Sequence, residues 1–263
     1  MKAAARDCSE SEGRERKSRM SKLNIADIRG AIFDVDGTLL DSMGVWYSVG
    51  ADYLGELGVE VDKDLGATLF SMTMTQAAEY LMDTYDLMKV TAFRERLTAA
   101  EGDNPSIEKI ADFLAGEMEG TMHRFYMEKA EARPGASELL KRMREAGIPM
   151  TIASSTAGYL IRAALERLDL MKYFTGLISG QDLKISKENE DPFILCLQAM
   201  GIDPEDREAV GSTWVFEDGL YAIETARDMG LKTVGVYDSV SKDDREEIER
   251  ISDIYVKEIS ELL

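Results

Sequence analysis

The stretch Arg29-Gly-Ala-Ile-Phe-Asp-Val-Asp-Gly-Thr38 decides the fold. It opens with a short apolar run, typical of a strand that is buried on both faces. Strand alternation would point the side chains of Asp34 and Asp36 the same way, and Gly37 lets the chain turn at once. Carboxylates this close raise each other's pKa unless a cation is near, which favours a ligand site over a solvated Asp-Gly turn.

Five further apolar runs follow, and helical patterns separate most of them. The other predicted strands are 148–153, 174–179, 213–216, 232–236 and a weaker 253–256. The predicted helices between them are 136–146, 157–168, 191–200 and 220–229. Alternation at this spacing predicts right-handed βαβ units. We therefore expect an α/β fold with a Rossmann-like parallel sheet.

One long segment interrupts this alternation. Residues 43–130 contain no convincing strand and show helical patterns at 45–57, 73–88 and 107–127. We predict an inserted helical domain at 43–130 and a core domain built from 23–42 and 131–263. Residues 1–22 carry seven basic and four acidic side chains without an apolar core. They are predicted to be a disordered extension, with Met20 as an alternative start and a basic docking tail as the other reading.

Composition limits the class of function. The formal net charge is −19, which disfavours binding to nucleic acid or to anionic lipid. No apolar run approaches the roughly 20 residues that a membrane helix needs. Cys8 and Cys196 have no metal-type spacing, and so a reducing cytoplasm is the simpler expectation. An enzyme this acidic would need a metal or a lysine to attract a phosphate ester.

Polar residues follow three of the other predicted strands. Ser154 and Ser155 precede a helix, where hydroxyl and backbone N–H groups can bind an anion, although Ser is also an ordinary N-cap. Lys184 and Lys187 follow the next strand and are candidate phosphate partners or surface charges. Glu217-Asp218 ends the fourth strand, and acidic oxygens there with those of Asp34 and Asp36 suit Mg²⁺. The only histidine, His123, is taken as structural.

These motifs together resemble the haloacid dehalogenase-like superfamily, specifically the subfamily IA branch of phosphatases and β-phosphoglucomutases with a helical cap after the first strand. The resemblance runs from about Ile28 to the C-terminus. It rests on Asp34-Val-Asp36-Gly-Thr38, Ser154 after an apolar strand, Lys187 and Glu217-Asp218, in the family's order. It implies a Mg²⁺-dependent phosphatase acting on a small phosphomonoester, such as a sugar phosphate or a nucleotide.

Residue roles follow from the resemblance. Asp34 would attack phosphorus and form an aspartyl-phosphate, and Asp36 would act as acid and then as base. Thr38 would orient Asp36 or close the loop. The remaining roles concern binding. Mg²⁺ would be held by Asp34, the Asp36 carbonyl and Asp218, with Glu217 nearby or ligating. The phosphoryl group would be bound by Ser154, the N–H groups from Ser155 onward and Lys187.

The sequence departs from the family pattern in two places. The lysine motif reads Lys187-Glu-Asn-Glu-Asp191 without stiffening prolines, so Lys184 stays a competitor for the phosphate lysine. The fourth motif has Gly219 where the family often has serine, which removes a hydroxyl near the metal. No arginine-bearing cap signature of the mutase type is found.

Several other activities are weighed. Asp36 argues against dehalogenation, since halide needs no proton on leaving. No cap lysine (Lys63, Lys89 or Lys109) has a context that indicates phosphonatase chemistry. A receiver domain would have a different motif order. A β-phosphoglucomutase-like sugar-phosphate mutase is the main alternative. A small phosphorylated metabolite is the expected partner, and we expect a monomer with a dimer left open. Trp46, Tyr47 and 72–74 are candidates for selecting the leaving group, although packing of the cap core is the favoured role for these residues.

Overall fold

The computed structural model describes residues 23–69 and 72–263, so the predicted disordered extension and Cys8 lie outside the described residues. These residues form two compact units. The sheet unit comprises residues 23–40, Ala132–Gly158 and Leu168–Leu263. The helical unit comprises Asp41–Glu131 and Tyr159–Arg167. The chain therefore passes from one unit to the other at residues 40/41 and 131/132 and around the helix 159–167.

A six-stranded parallel sheet forms the centre of the sheet unit, with strand order β5-β4-β1-β6-β7-β8. Its strands are β1 (Gly30–Phe33), β4 (Met150–Ser154), β5 (Gly176–Ser179), β6 (Thr213–Glu217), β7 (Lys232–Val236) and β8 (Ile254–Val256), while β2 (Leu40–Asp41) and β3 (Glu131–Ala132) pair in a separate two-stranded sheet. The predicted α/β fold with a parallel sheet is confirmed.

Helices flank these strands in the sheet unit. They are α6 (Ala136–Glu145), α8 (Gly180–Leu183), α9 (Asp191–Ala199), α10 (Arg207–Val210), α11 (Leu220–Asp228) and α12 (Arg245–Ile251). Strand side chains pack against them because both faces of the sheet are apolar, as in the buried cluster that contains Ile32, Phe193 and Ala222. Phe33 also stacks on Phe216 of the neighbouring strand, with ring centroids 4.3 Å apart.

Strand register brings the candidate site residues to one edge of the sheet. Phe33 lies beside Phe216 on β6 and beside Ile152 on β4. The residues that follow these positions, including Asp34, Ser154 and Glu217, therefore emerge at the same carboxyl edge. Ligands bind at this edge in open α/β sheets, especially where the chain order reverses on either side of a strand such as β1.

The helical unit contains α1 (Met43–Glu56), α2 (Leu65–Leu69), α3 (Met74–Thr84), α4 (Thr91–Glu101), α5 (Ile107–Glu128) and α7 (Gly158–Arg167), the last beginning one residue before the unit. Sequence reasoning missed α2 and α4. It also predicted one helix over 73–88, where α3 ends at Thr84 and a 3₁₀ turn follows at Leu87–Lys89. No helix in the described ranges is long and apolar enough to cross a membrane.

A close approach inside the sheet unit gives a stability prediction. Gly135 has φ +89°, and a Cβ there would lie 2.4 Å from the backbone N of Ser260. Gly147 has φ +76°, but a Cβ added there would have no neighbouring atom within 4 Å among the described residues. We expect Gly135→Ala to lower the free energy of unfolding by about 3 kcal/mol, because a steric clash adds to left-handed strain. Gly147→Ala should cost only about 1 kcal/mol.

Urea unfolding followed by circular dichroism measures both changes. The difference between the two variants isolates the clash with Ser260, since both carry the same backbone strain. Equal losses would show that the segment around Ser260 moves away freely.

Candidate active site

A tight hydrogen-bonded turn follows β1 and carries the two aspartates. The backbone N–H of Asp34 donates to the Phe216 carbonyl at 2.9 Å, which continues the β1–β6 pairing by one residue. The Val35 carbonyl then accepts from the N–H groups of Leu39 and Leu40 at 2.9 and 2.8 Å. Gly37 has φ +84°, a conformation that glycine adopts without steric cost. The sequence Asp-Gly thus reverses the chain just beyond the strand.

Lys187 lies between two acidic side chains in the buried part of the site. Its Nζ is 2.6 Å from Asp34 Oδ1, and it also donates to Glu217 Oε1. All three side chains are buried. Lys184, by contrast, is exposed and ends α8 with φ +57°. The geometry therefore favours Lys187 over Lys184 as the lysine beside the candidate nucleophile.

This arrangement predicts different effects for the two lysines. We expect Lys187→Met to lower the free energy of unfolding by about 3 kcal/mol, because it leaves two carboxylates buried without their cation. Lys184→Met keeps the same left-handed backbone strain at an exposed position. It should therefore change the free energy of unfolding by less than about 0.5 kcal/mol. Urea unfolding in metal-free buffer checks both. A larger loss in Lys184→Met would contradict the assignment.

Three buried carboxylates form a cluster that could hold a metal ion. One oxygen from each of Asp34, Glu217 and Asp218 lies within 4.8 Å of the others. Asp34 Oδ2 is buried and has no hydrogen-bond partner among the residues that the structure describes. A carboxylate oxygen in that state is costly unless it meets a cation. The donors are oxygens alone, which suits a hard cation such as Mg²⁺.

Electrostatics support the need for a cation at this cluster. The pKa of Asp34 is raised to about 8, chiefly by burial and also by the charges of Glu217 and Asp36, while Lys187 opposes these effects. Burial and the charges of Glu217 and Asp34 also raise the pKa of Asp218 well above its usual range. A positive ion would favour the charged carboxylates and so reverse these shifts.

Hydrogen bonds orient two acids of this cluster. Thr38 Oγ1 donates to Asp218 Oδ1 at 3.3 Å, and Ser241 Oγ donates to Asp218 Oδ2 at 3.4 Å. The Gly219 N–H donates to Glu217 Oε2 at 2.8 Å. The sequence placed Thr38 near Asp36, and the structure adds this contact with Asp218.

The Asp36 carboxylate lies in a different hydrogen-bonded pair. Thr156 Oγ1 donates to Asp36 Oδ2 at 2.7 Å, and Asp36 is half-buried. Among the described residues, the acids that could share an ion are Asp34, Glu217 and Asp218, without the Asp36 side chain. The Asp36 side chain is thus placed beside Thr156 rather than among the three acids that could share an ion.

The predicted phosphate-binding residues lie at the end of β4. Ser154 is buried, and its Oγ accepts from the Thr156 N–H at 3.1 Å. Ser155 is exposed. Burial raises the pKa of the nearby Tyr221 phenol, and a hydrogen bond with Ser155 opposes that shift. Ser154 therefore shapes the start of the loop, while Ser155 and Tyr221 lie at its surface.

Sequence reasoning missed four residues around this site. Thr156 stood beside Ser154 in the motif and could have been found as a third hydroxyl. Tyr221 lies two residues after Gly219 and could have been considered with the fourth motif. Ser241 and Arg133, whose guanidinium donates to the Gly37 carbonyl, had no local signal, because each lies in a segment without a recognisable motif.

Comparisons with known proteins identify the family. The family model described as haloacid dehalogenase-like hydrolase matches residues 31–236. A phosphoglycolate phosphatase of Escherichia coli K12 is 30% identical over 219 residues, covering 80% of this chain and 81% of that protein. A phosphorylated carbohydrates phosphatase of Thermotoga maritima is 23% identical over 215 residues, covering 81% of this chain and 88% of that protein.

A solved structure shares the fold. CbbY from Rhodobacter sphaeroides, in complex with phosphate, superposes with a TM-score of 0.63 at 21% sequence identity, and the match covers 89% of this chain and 96% of that one. The family predicted from the motifs is confirmed. The prediction that the chain is an enzyme is confirmed with it. The chain belongs to the haloacid dehalogenase-like hydrolase family.

Proposed function

We propose that this enzyme is a Mg²⁺-dependent phosphatase that hydrolyses a small phosphomonoester through an aspartyl-phosphate on Asp34. The observation that carries the proposal is the state of Asp34 itself. One of its oxygens contacts Lys187, and the other is buried without a partner in the described structure, beside Glu217 and Asp218. The names of the Escherichia coli and Thermotoga maritima relatives, both phosphatases of small organic phosphates, support the same class of substrate.

The reaction would proceed in two steps at this edge of the sheet. An oxygen of Asp34 forms a bond to phosphorus while the bond from phosphorus to the leaving oxygen breaks, and Asp36 donates its proton to that oxygen. Asp36 then takes a proton from water, whose oxygen attacks phosphorus and releases phosphate and the free Asp34 carboxylate. Thr156 holds the Asp36 carboxyl for both transfers.

Cations must offset the negative charge of both the acids and the substrate. Lys187 would neutralise phosphoryl oxygens from its place beside Asp34, with Ser154, Ser155 and the N–H groups that follow contributing donors. Asp34 and Asp218, together with the Asp36 carbonyl and with Glu217 nearby, would hold Mg²⁺. The ion would supply electrostatic screening between the attacking carboxylate and the phosphoryl group.

The domain arrangement and substrate selection are also proposals. We propose that 43–130 acts as a cap domain that selects the leaving group. Of the predicted selecting residues, Trp46, Met72 and Met74 line a cavity of about 150 Å³ within the helical unit. Trp46 Nε1 donates to the Tyr126 hydroxyl at 3.1 Å, which fits the core-packing role that the sequence favoured for these residues. A monomeric state and a cytoplasmic location stay predictions.

A substrate panel with metal control tests the proposal. Phosphoglycolate, sugar phosphates and nucleotides would be assayed for released phosphate with Mg²⁺, after chelation, and after Mg²⁺ is restored. We expect chelation to lower activity at least about 100-fold, because the acidic cluster then repels the substrate. Mg²⁺ should also raise the melting temperature, since it binds only the folded cluster. Full activity in chelator would contradict the metal requirement.

The mutase alternative has its own test. A sugar 1-phosphate supplied with a bisphosphate activator should yield free phosphate and sugar if the enzyme is a phosphatase. Formation of the isomeric sugar phosphate alone would defeat the hydrolase proposal and leave the core chemistry of Asp34 intact.

A further inference from the structure

The guanidinium of Arg133 is a buried charge that the proposed reaction does not use. Its Nη1 donates to the Gly37 carbonyl and lies 3.2 Å from Asp238 Oδ2. Its Nη2 donates to the carbonyls of Tyr237 at 2.8 Å and Lys257 at 3.4 Å. The backbone N–H of Arg133 donates to the Leu39 carbonyl at 2.9 Å. One residue therefore contacts the turn after β1 twice.

The partners of Arg133 show what it fixes. Asp238 is buried and neutralises the guanidinium, and its other oxygen accepts from the Val240 N–H at 2.8 Å. The remaining partners are backbone carbonyls in the segments that follow β1, β7 and β8. A buried ion pair is weak evidence for net stability. A planar guanidinium with several donors is, however, well suited to hold separate loops in one geometry.

The turn that Arg133 grips contains Asp36. Gly37 follows Asp36 directly, and its N–H donates to the Leu40 carbonyl at 3.0 Å. Thr156 binds the carboxylate end of Asp36. The Asp36 residue is thus held at its side chain by Thr156, while the backbone just beyond it is held by Arg133. A loosened turn would let the carboxyl drift from the leaving oxygen even with Thr156 in place.

We propose that Arg133 is a positioning residue that holds the Asp36–Gly37 turn so that the Asp36 carboxyl can protonate the leaving group. This inference rests on the acid role proposed for Asp36. It differs from a purely structural role in one measurable way. Loss of position should affect a leaving group that needs a proton more than one that does not, whereas loss of folded enzyme would lower both rates equally.

Two substrates make this difference visible. The first is the alkyl phosphate that is hydrolysed fastest in the panel above, and the second is p-nitrophenyl phosphate, whose phenolate leaves without a proton. We expect Arg133→Met to lower the ratio of kcat/KM for the alkyl over the aryl substrate about tenfold, because small misplacements of an acid are costly. Arg133→Lys keeps the charge beside Asp238 without the guanidinium fork, and should also lower the ratio.

Arg167→Met is the matched control. Arg167 also donates to a backbone carbonyl, that of Ala130, but within the helical unit. Its variant should leave the ratio unchanged. If Arg133→Met does not fold, Arg133→Lys decides. An unchanged ratio in the folded Arg133 variant, with Asp36→Asn lowering it, would overturn the inference alone. An unchanged ratio in Asp36→Asn would overturn the acid role and the inference together.

Discussion

Asp34→Asn is expected to lower kcat for phosphate release by about 10⁴-fold or more, on the scale of other removals of a catalytic nucleophile. An amide at this position cannot form the bond to phosphorus. The folded state should survive the change, because Asn is a neutral replacement for a carboxyl group whose pKa is raised to about 8, chiefly by burial. Lys187 also keeps Glu217 as its partner. Steady-state phosphate release and urea unfolding measure the two effects separately.

Asp228→Asn provides the comparison for this loss. Asp228 is an exposed residue at the end of α11, and its variant should retain full activity. The wild-type enzyme, quenched in acid during turnover, should carry one phosphoryl group on the peptide that contains residues 29–38, and Asp34→Asn should carry none there. Mg²⁺-dependent activity that survives in Asp34→Asn would reject the covalent mechanism.

The strands could be predicted because several are apolar on consecutive positions, but one boundary depended on a distant contact. The sequence ended the fourth strand at 216, whereas β6 continues to Glu217. A charged residue can be predicted to belong to a buried strand only when the residue that pairs with its charge is known. Here that partner is Lys187, thirty residues earlier in the chain, with α9 and α10 between the two. Periodicity within a strand carries no information about such a pair.

The missed helices have a different cause. In α4 only Phe93 and Leu97 are buried, so its apolar face is too narrow to give a strong helical pattern. The helix α2 spans only Leu65–Leu69, which is shorter than the windows over which periodicity can be read. Both helices pack against neighbours within the helical unit, and apolar periodicity along one segment does not reveal such packing.

Site residues at strand ends could be predicted from the sequence. Those whose position depends on the conformation of a loop could not. Asp34 and Asp218 follow from strand register alone. The choice between Lys184 and Lys187 depended on the backbone of the loop, because Lys184 adopts a left-handed conformation at the end of α8 and points to solvent. Arg133 lies outside every motif, and only the folded chain brings it to the turn after β1.

Asp36→Asn is expected to lower kcat/KM for alkyl phosphates by about 10²- to 10⁴-fold, the usual contribution of a general acid. The value for p-nitrophenyl phosphate should fall far less, because kcat/KM reports only the steps up to release of a leaving group that needs no proton. Its kcat should nevertheless fall strongly, since Asn cannot activate the water that hydrolyses the aspartyl-phosphate. Stopped-flow absorbance should therefore show a burst of about one nitrophenolate per enzyme.

The wild-type enzyme is the control for this burst, and it also separates the two candidate activities. A phosphatase transfers the phosphoryl group from Asp34 to water in every cycle. The wild type should therefore release nitrophenolate continuously rather than stop after about one per enzyme. A mutase keeps the phosphoryl group until a sugar hydroxyl arrives, so its wild type would already show the arrested burst when no sugar is present. Equal losses of kcat/KM for both substrates in Asp36→Asn would remove Asp36 from the role of acid.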